Sequence, residues 1–330
     1  MRAVGIDTGG THTRIFADDM DEPLKLMTPA TKAGYLSLLR EQRRILEGCY
    51  LVDAVAGPPS PDRRSVAITN QGWGELTASE IEESSGAKEA SIYNDIEGAG
   101  TGVVDVERNE PGRIVYIAGD RIPEAYGFLM IPGTGIGVAK ITPEGEVLGG
   151  EGGWVLAQPT NPNEEDVFGK LQAQNKRLVA CEDVAANPAI YGVWFMEREL
   201  VFDYNPSATC NVKGEEFQAV EGSADKPAEI ARLAKGGSKF CGLVMKKAAR
   251  FLGQCAQANM LSPPLARALC ITGSFEHDME VPGYVDELLR SLYASRHGDM
   301  LKGFPVYTIR DPGMLGVKGS LIIARKYAGK

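Results

Sequence analysis

Two short turns rich in threonine and glycine constrain this chain more than anything else in it. The first is Asp7-Thr8-Gly9-Gly10-Thr11, set between the apolar runs 2–7 and 13–17. The second is Pro132-Gly133-Thr134-Gly135-Ile136, inside the apolar stretch 127–141. An apolar run, a Gly-rich turn and a returning apolar run make a β-hairpin. The same unit at two distant places predicts two halves of related build. Strand-like runs at 52–57, 66–69, 90–95, 114–119, 266–275 and 304–310 alternate with helical patterns at 33–48, 77–83, 163–180, 227–261, 285–294 and 315–327. Such alternation predicts an α/β fold with mixed sheets. A chain of 330 residues is long enough for two domains.

The turns also carry chemistry. Successive N–H groups in a tight turn form a nest for phosphate oxygens, and glycine lets the backbone come close. Thr8, Thr11 and Thr13 add hydroxyls, and Asp7 at a strand end suits a hydrated Mg²⁺. The pattern is neither the P-loop nor the dinucleotide fingerprint, since no Lys follows the glycines and the turn returns to a strand. A plain hairpin turn has the same residues; the pair of turns says more than either alone.

Three further places invite attention. Asn94-Asp95 ends an apolar strand, where polar residues of an open α/β sheet commonly face a ligand. A carboxylate there can take a proton from an attacking hydroxyl, although the same two residues suit a helix N-cap. Glu151 stands between paired glycines in Gly149-Gly150-Glu151-Gly152-Gly153-Trp154, a flexible setting for a carboxylate that grips hydroxyls, or an ordinary acidic loop. Glu182 opens a helical segment, where an acid also offsets the helix dipole. The net charge of −9 argues against a general nucleic-acid binder. Six scattered cysteines without a C-x-x-C pair read as reduced and argue against structural zinc. His12, His277 and His297 have no ligand spacing. No leader or membrane-length apolar run is seen, so a cytoplasmic location without a membrane partner is expected.

Taken in order, these pieces resemble the bacterial glucokinases of the actin-like ATPase and hexokinase superfamily. GIDTGGTHTRI (5–15) resembles the family's first phosphate loop, AITNQGW (67–73) its T-N-x-x-W segment, and IYNDI (92–96) its N-D-F/I segment. IPGTGIGVA (131–139) resembles its second loop and GGEGGW (149–154) its P-G-E-G-G-H segment. ACEDVAANPAIYGVW (180–194), ITGSF (271–275) and DPGMLGVKGSL (311–321) complete the series. The resemblance covers nearly the whole chain. It implies an α/β, ribonuclease-H-like two-domain fold with a central cleft. Residues 1–110 with 313–330 would form the small domain and 111–312 the large one. By position it makes Asp95 the catalytic base. Asn70, Asn94, Asp95, Glu151, Trp154 and Glu182 would bind the acceptor sugar. Asp7, Thr8, Gly9, Gly10, Thr11, Gly133, Thr134, Gly135 and Gly273 would hold ATP, with Asp7 supporting Mg²⁺ indirectly.

The resemblance thus implies an ATP-dependent sugar kinase making glucose 6-phosphate from glucose, as in glycolysis, with a homodimer as a family-level expectation. Three departures bear on the substrate. Trp154 replaces the family's hydroxyl-reading His, and indole offers one donor and no acceptor. Asn187 and Ala189 replace glycines that follow the second Glu, and Ser274 replaces a glycine beside the adenosine. A kinase for a different sugar or amino sugar therefore stays open, as does a non-catalytic sugar-binding regulator. The zinc motif of the repressor/open-reading-frame/kinase (ROK) branch is absent between Gly153 and Glu182.

Overall fold

The computed structural model describes residues 1–69, 71–120, 126–202, 205–295 and 297–329; Asn70 falls outside them. Two compact units emerge. The first comprises Met1–Ile114, Ile141–Gly149 and Asp311–Lys330, and the second Val115–Lys140 and Gly150–Arg310. The segment Ile141–Gly149 joins the first unit, although in sequence it lies well inside the range expected for the large domain.

In the first unit five strands form one sheet: β1 (Ala3–Thr8), β2 (His12–Ala17), β3 (Leu24–Met27), β4 (Tyr50–Val55) and, after the small hairpin β5 (Ser65–Ile68) and β6 (Gly74–Thr77), β7 (Glu89–Asn94). Their order is β3–β2–β1–β4–β7. The β1–β2 pair is antiparallel, and β4 runs parallel to both β1 and β7. Every residue of β4 is buried, as expected for a central parallel strand covered on both faces. Side chains alternate between those faces. Val4, Ile6 and Leu51 meet Tyr35, Leu39 and Ile81 on one side, and Ala3, Tyr50 and Val52 meet Leu321, Ile323 and Ala324 on the other.

The helix Asp95–Asn109 carries Gly98, Gly100 and Gly102. Each glycine in a helix interior costs about 1 kcal/mol relative to Ala, so close packing must require them. The Val147 side chain supplies the reason at Gly100, and the final helix, Leu315–Ala328, at Gly98 and Gly102. A Cβ at Gly319 would lie 1.8 Å from the Gly98 carbonyl oxygen, and one at Gly102 would lie 2.3 Å from that of Leu315. The two backbones touch, and no side chain fits between them.

The second unit contains β8 (Ile114–Ala118), β9 (Gly127–Pro132), β10 (Ile136–Ile141), β12 (Glu199–Phe202), β13 (Asn205–Asn211), β14 (Ala268–Ile271) and β15 (Val306–Ile309); β11 (Val147–Gly150) leads into the Glu151 turn. The strand order β10–β9–β14–β15–β8 places β14 parallel to β9 and to β15. The stretch read as one helix over 227–261 is two, Lys226–Lys235 and Lys239–Leu261, broken at Gly236-Gly237, where Gly237 has φ +95°. The longer helix is buried nearly all round, including Lys247 and Arg250. Both point at the buried Glu164, at 2.7 and 2.5 Å. Burial pushes the Glu164 carboxyl up, but the two cations and its hydrogen bonds outweigh that and hold it below the ordinary range.

Candidate functional site

In the first unit the site grows from the end of β1. Asp7 faces Arg14 across the hairpin, and Arg14 Nη1 donates to Asp7 Oδ2 at 3.3 Å. Gly316 of the final helix presses on the same carboxylate. Burial pushes the Asp7 carboxyl up to about 6; Arg14 opposes this, and the charges of Asp95 and Asp53 add to it. The turn that follows is held from outside. Gly9 N–H donates to His12 O at 3.0 Å. Thr28 Oγ1 and Gln71 Nε2 both donate to Gly9 O, at 2.8 and 3.1 Å. Gly10 and Thr11 are exposed.

Two of the three hydroxyls expected on the phosphate side point elsewhere. Thr8 is buried and donates to Asp53 Oδ1 at 2.8 Å, beside Tyr35 OH, which donates to Asp53 Oδ2 at 2.6 Å. Thr13 is buried and shares a 3.0 Å hydrogen bond with Thr28. The cause is strand alternation, which turns both side chains into the interior. Thr8 therefore has only its backbone to offer a phosphate, while Thr11 keeps an exposed side chain.

Asp95 is the first residue of its helix, straight after β7. It is half-buried, and its Oδ1 accepts from Ile96 N–H at 2.9 Å. Asn94 is the N-cap: its Oδ1 accepts from Ile96 N–H at 3.0 Å, and Glu97 Oε2 accepts from Asn94 N–H at 3.1 Å, completing a capping box. Asn94 Nδ2 also donates to Gly57 O at 2.9 Å. Glu97 in turn grips Arg63 in a bidentate pair at 2.6 and 2.9 Å, and Arg63 lies 4.4 Å over the Tyr93 ring. Asp95 thus leaves a strand end whose two flanking residues are both fixed.

In the second unit the turn between β9 and β10 is braced by the second candidate glutamate. Glu182 Oε2 accepts from Ile136 N–H at 2.8 Å, and Asn187 N–H donates to Gly133 O at 2.8 Å. Thr134 at the tip is exposed. Gly273, with φ +78°, closes against Ile131 and Pro132. Ser274 Oγ donates to Pro132 O at 3.3 Å and reaches Asn187 Oδ1 at 3.5 Å. Two residues that depart from the expected glycines therefore touch each other, with a hydroxyl and an amide closing the space.

Glu151 is exposed and begins the short 3₁₀ turn Gly152–Trp154. The turn sits on β10: a Cβ at Gly153 would lie 2.5 Å from Ile136 O and 3.2 Å from Glu182 Oε2. Trp154 is 49% exposed and lies under the Arg177 guanidinium, 4.5 Å from ring centroid to Cζ. Arg177 is locked to Asp183 by bonds of 2.6 and 2.7 Å.

Within the second unit, then, Gly133, Thr134, Gly135, Glu151, Trp154, Glu182 and Gly273 belong to one neighbourhood. Within the first, Asp7, the Thr8–Thr11 turn and Asp95 form another. Sequence reasoning missed Arg14, Arg63, Glu97, Gly316, Arg177 and Asp183. A cross-strand partner of Asp7 was legible in the hairpin register; the others act across long separations. Among the described residues no group of three or more His, Cys, Asp or Glu is disposed to hold a metal. No disulfide joins any of the six cysteines. No helix among the described residues is long and apolar enough to cross a membrane.

A family model described as Glucokinase matches residues 5–326. No curated protein matches the sequence significantly. Among solved structures, the glucokinase of Balamuthia mandrillaris, determined with glucose, is 20% identical, with 98% of this chain and 93% of that one covered and a TM-score of 0.81. A ROK-family glucokinase of Streptomyces griseus, determined with glucose and AMPPNP, is 17% identical over 99% and 100% of the two chains, with a TM-score of 0.68. The ROK hexokinase of Thermus thermophilus is 18% identical over 100% and 99%, with a TM-score of 0.65. At such identities these likenesses show a shared fold alone. The sheet-and-helix architecture is that of the actin-like sugar kinases, as the sequence led one to expect.

Proposed function

Because the chain belongs to the glucokinase family and is a sugar kinase, we propose that it moves the γ-phosphoryl group of ATP to a hexose hydroxyl, with glucose as acceptor, glucose 6-phosphate as product and Asp95 as the base. The observation that carries this reading is the place of Asp95. It stands at the junction of a parallel strand and a helix, its neighbours fixed by Gly57 and Arg63, and its charge acts on Asp7 beside the phosphate-type turn.

Asp95 accepts the proton of the primary hydroxyl as that oxygen bonds to phosphorus and the bond to ADP breaks. The N–H groups of Gly9 and Gly133 close their own turns, onto His12 O and Gly135 O, and those of Gly10, Thr11, Thr134 and Gly135 hold phosphate oxygens and spread the charge of the transition state. Asn94, Glu151, Trp154 and Glu182 position the acceptor, and so does Asn70 on the family pattern. Gly273 lies beside the nucleoside. The carboxyl of Asp7, only partly offset by Arg14 at 3.3 Å, suits a hydrated divalent cation. Mg²⁺ bound there would neutralise phosphate charge. Use of ATP is supported by the AMPPNP bound to the Streptomyces griseus enzyme.

The test is a coupled ADP-release assay over a panel of sugars, run on the wild type and Asp95→Asn. The variant is expected to fold and bind sugar while losing roughly 10²–10⁴-fold or more in turnover. Near-normal turnover would remove Asp95 from its role. The half-exposed Trp154 favours a second reading, a kinase for a sugar other than glucose, and a panel in which glucose alone is inert would select it. Sugar-dependent thermal stabilisation without ADP release from any sugar would instead mark a regulator.

A further inference from the structure

Trp154 differs from the other two tryptophans. Trp194 is fully buried and Trp73 is 8% exposed, whereas Trp154 shows about half its surface at the end of a turn that starts with two glycines. A lone exposed aromatic needs no explanation, but this one is fastened. The Arg177 guanidinium covers its ring, and both terminal nitrogens of Arg177 bind Asp183. Asp183 is itself tied down, with Oδ2 accepting from Ala180 N–H at 2.8 Å. The next residue back is Glu182, which braces the turn before β10, and the backbone of Gly153 lies against that same carboxylate. The indole thus stands at the end of the turn that Glu151 opens, and the Arg177 that covers it is tied to Asp183, the residue after Glu182.

We propose that Trp154 is the platform on which the acceptor ring lies, and that Arg177 is the positioning residue that fixes that platform. This rests on the sugar-kinase reading above. The chemistry follows from what each group offers. An indole presents an apolar face and one donor, so it reads the C–H face of a ring and gains little from a hydroxyl above it. The carboxylates of Glu151, which opens the same turn, and Glu182, which lies against Gly153, would accept from ring hydroxyls. That combination selects a closed pyranose over an open-chain polyol with the same hydroxyls. Arg177 acts through the indole and through Asp183, and touches no reacting atom.

Fluorescence isolates the platform, because Trp73 and Trp194 are shielded and acrylamide quenching reports chiefly on Trp154. Saturating glucose, without nucleotide, should reduce the quenching constant by about half or more, and the open-chain polyol glucitol should not. Trp154→Ala should raise the sugar KM on the order of tenfold with kcat retained, as for removal of a buried aromatic contact. Arg177→Met should raise the sugar KM about two- to fivefold, the value of an exposed cation–π pair, and weaken the protection by glucose; Arg177→Lys should recover part of both. A purely structural Arg177 would lower the melting temperature and leave KM and protection unchanged, and that result overturns its assignment. Turnover of glucose without protection of Trp154 sinks the platform and leaves the kinase standing. Protection without turnover of any sugar sinks the kinase and leaves the platform. Neither protection nor turnover sinks both.

Discussion

Replacing Gly316 by alanine puts one methyl group against the Asp7 carboxylate, which the proposed function assigns to the cation. A Cβ at this position would lie 2.7 Å from Asp7 Cγ and 2.9 Å from each carboxylate oxygen. Ordinary contact begins near 3.4 Å, so something must give by about 0.7 Å. The helix cannot retreat as a body without losing its close contact through Gly319 to Gly98, so most of the movement falls on Asp7. Overpacking of this kind costs roughly 1–3 kcal/mol of stability. Misplacing a catalytic group by about 1 Å costs roughly 10²-fold in rate, so a shift of about 0.7 Å should cost tenfold or more. The assay is ADP release at saturating sugar with MgATP varied, beside urea denaturation of the same preparation. We expect kcat/KM for MgATP to fall at least tenfold and the sugar KM to stay within about twofold. A folded variant with unchanged MgATP kinetics would refute the claim that the final helix sets the position of Asp7.

Two other outcomes follow from charges inside the units. Asp7, ordinarily near 3.8, is raised to about 6, so between those values the folded chain keeps a proton that the unfolded chain gives up. Stability from this group therefore falls as pH rises through that window and is level above it, while kcat/KM for MgATP should drop as pH falls below about 6. Arg14→Gln removes the charge that lowers Asp7 and should move that acid limb to higher pH; an unmoved limb would assign it to another group. Glu164→Gln removes the buried charge that Lys247 and Arg250 share, although Arg250 keeps Glu287 at 2.9 Å, and should cost about 3–5 kcal/mol in urea denaturation. Adding Lys247→Met should return part of that loss, because it removes a buried ammonium whose carboxylate is gone. A loss under about 1 kcal/mol for the single variant would show the cluster to be hydrated.

The fold was legible wherever local pattern decided it. The Thr/Gly turn between β1 and β2, the strand ending at Asn94 and the helix capped by Thr77 follow from alternation, turn chemistry and the Thr77–Glu80 box. Asn94-Asp95 allowed two readings, and the structure uses Asn94 as the cap while leaving Asp95 half-buried at the helix start. What stayed hidden depends on distant partners. Nothing near Arg63 announces that it grips Glu97, 34 residues on. Nothing near Arg177 ties it to Trp154, since the contact needs the turn at Gly152–Trp154 to fold back beside Asp183. The inward turn of Thr8 and Thr13 was readable in principle from alternation, but the register needed Asp53 and Thr28 to be in place.

The contact between Gly319 and Gly98 orders events during synthesis. The helix that backs Asp7 comes from residues translated about three hundred positions after the strand that ends in Thr8. Until it emerges, Ala3, Tyr50 and Val52 have one face without cover, and the carboxylate beside the first turn lacks its backing. The second unit, nearly continuous in sequence, has no such wait. A nascent chain can therefore complete the second unit first, and the first unit closes only when the helix Leu315–Ala328 docks.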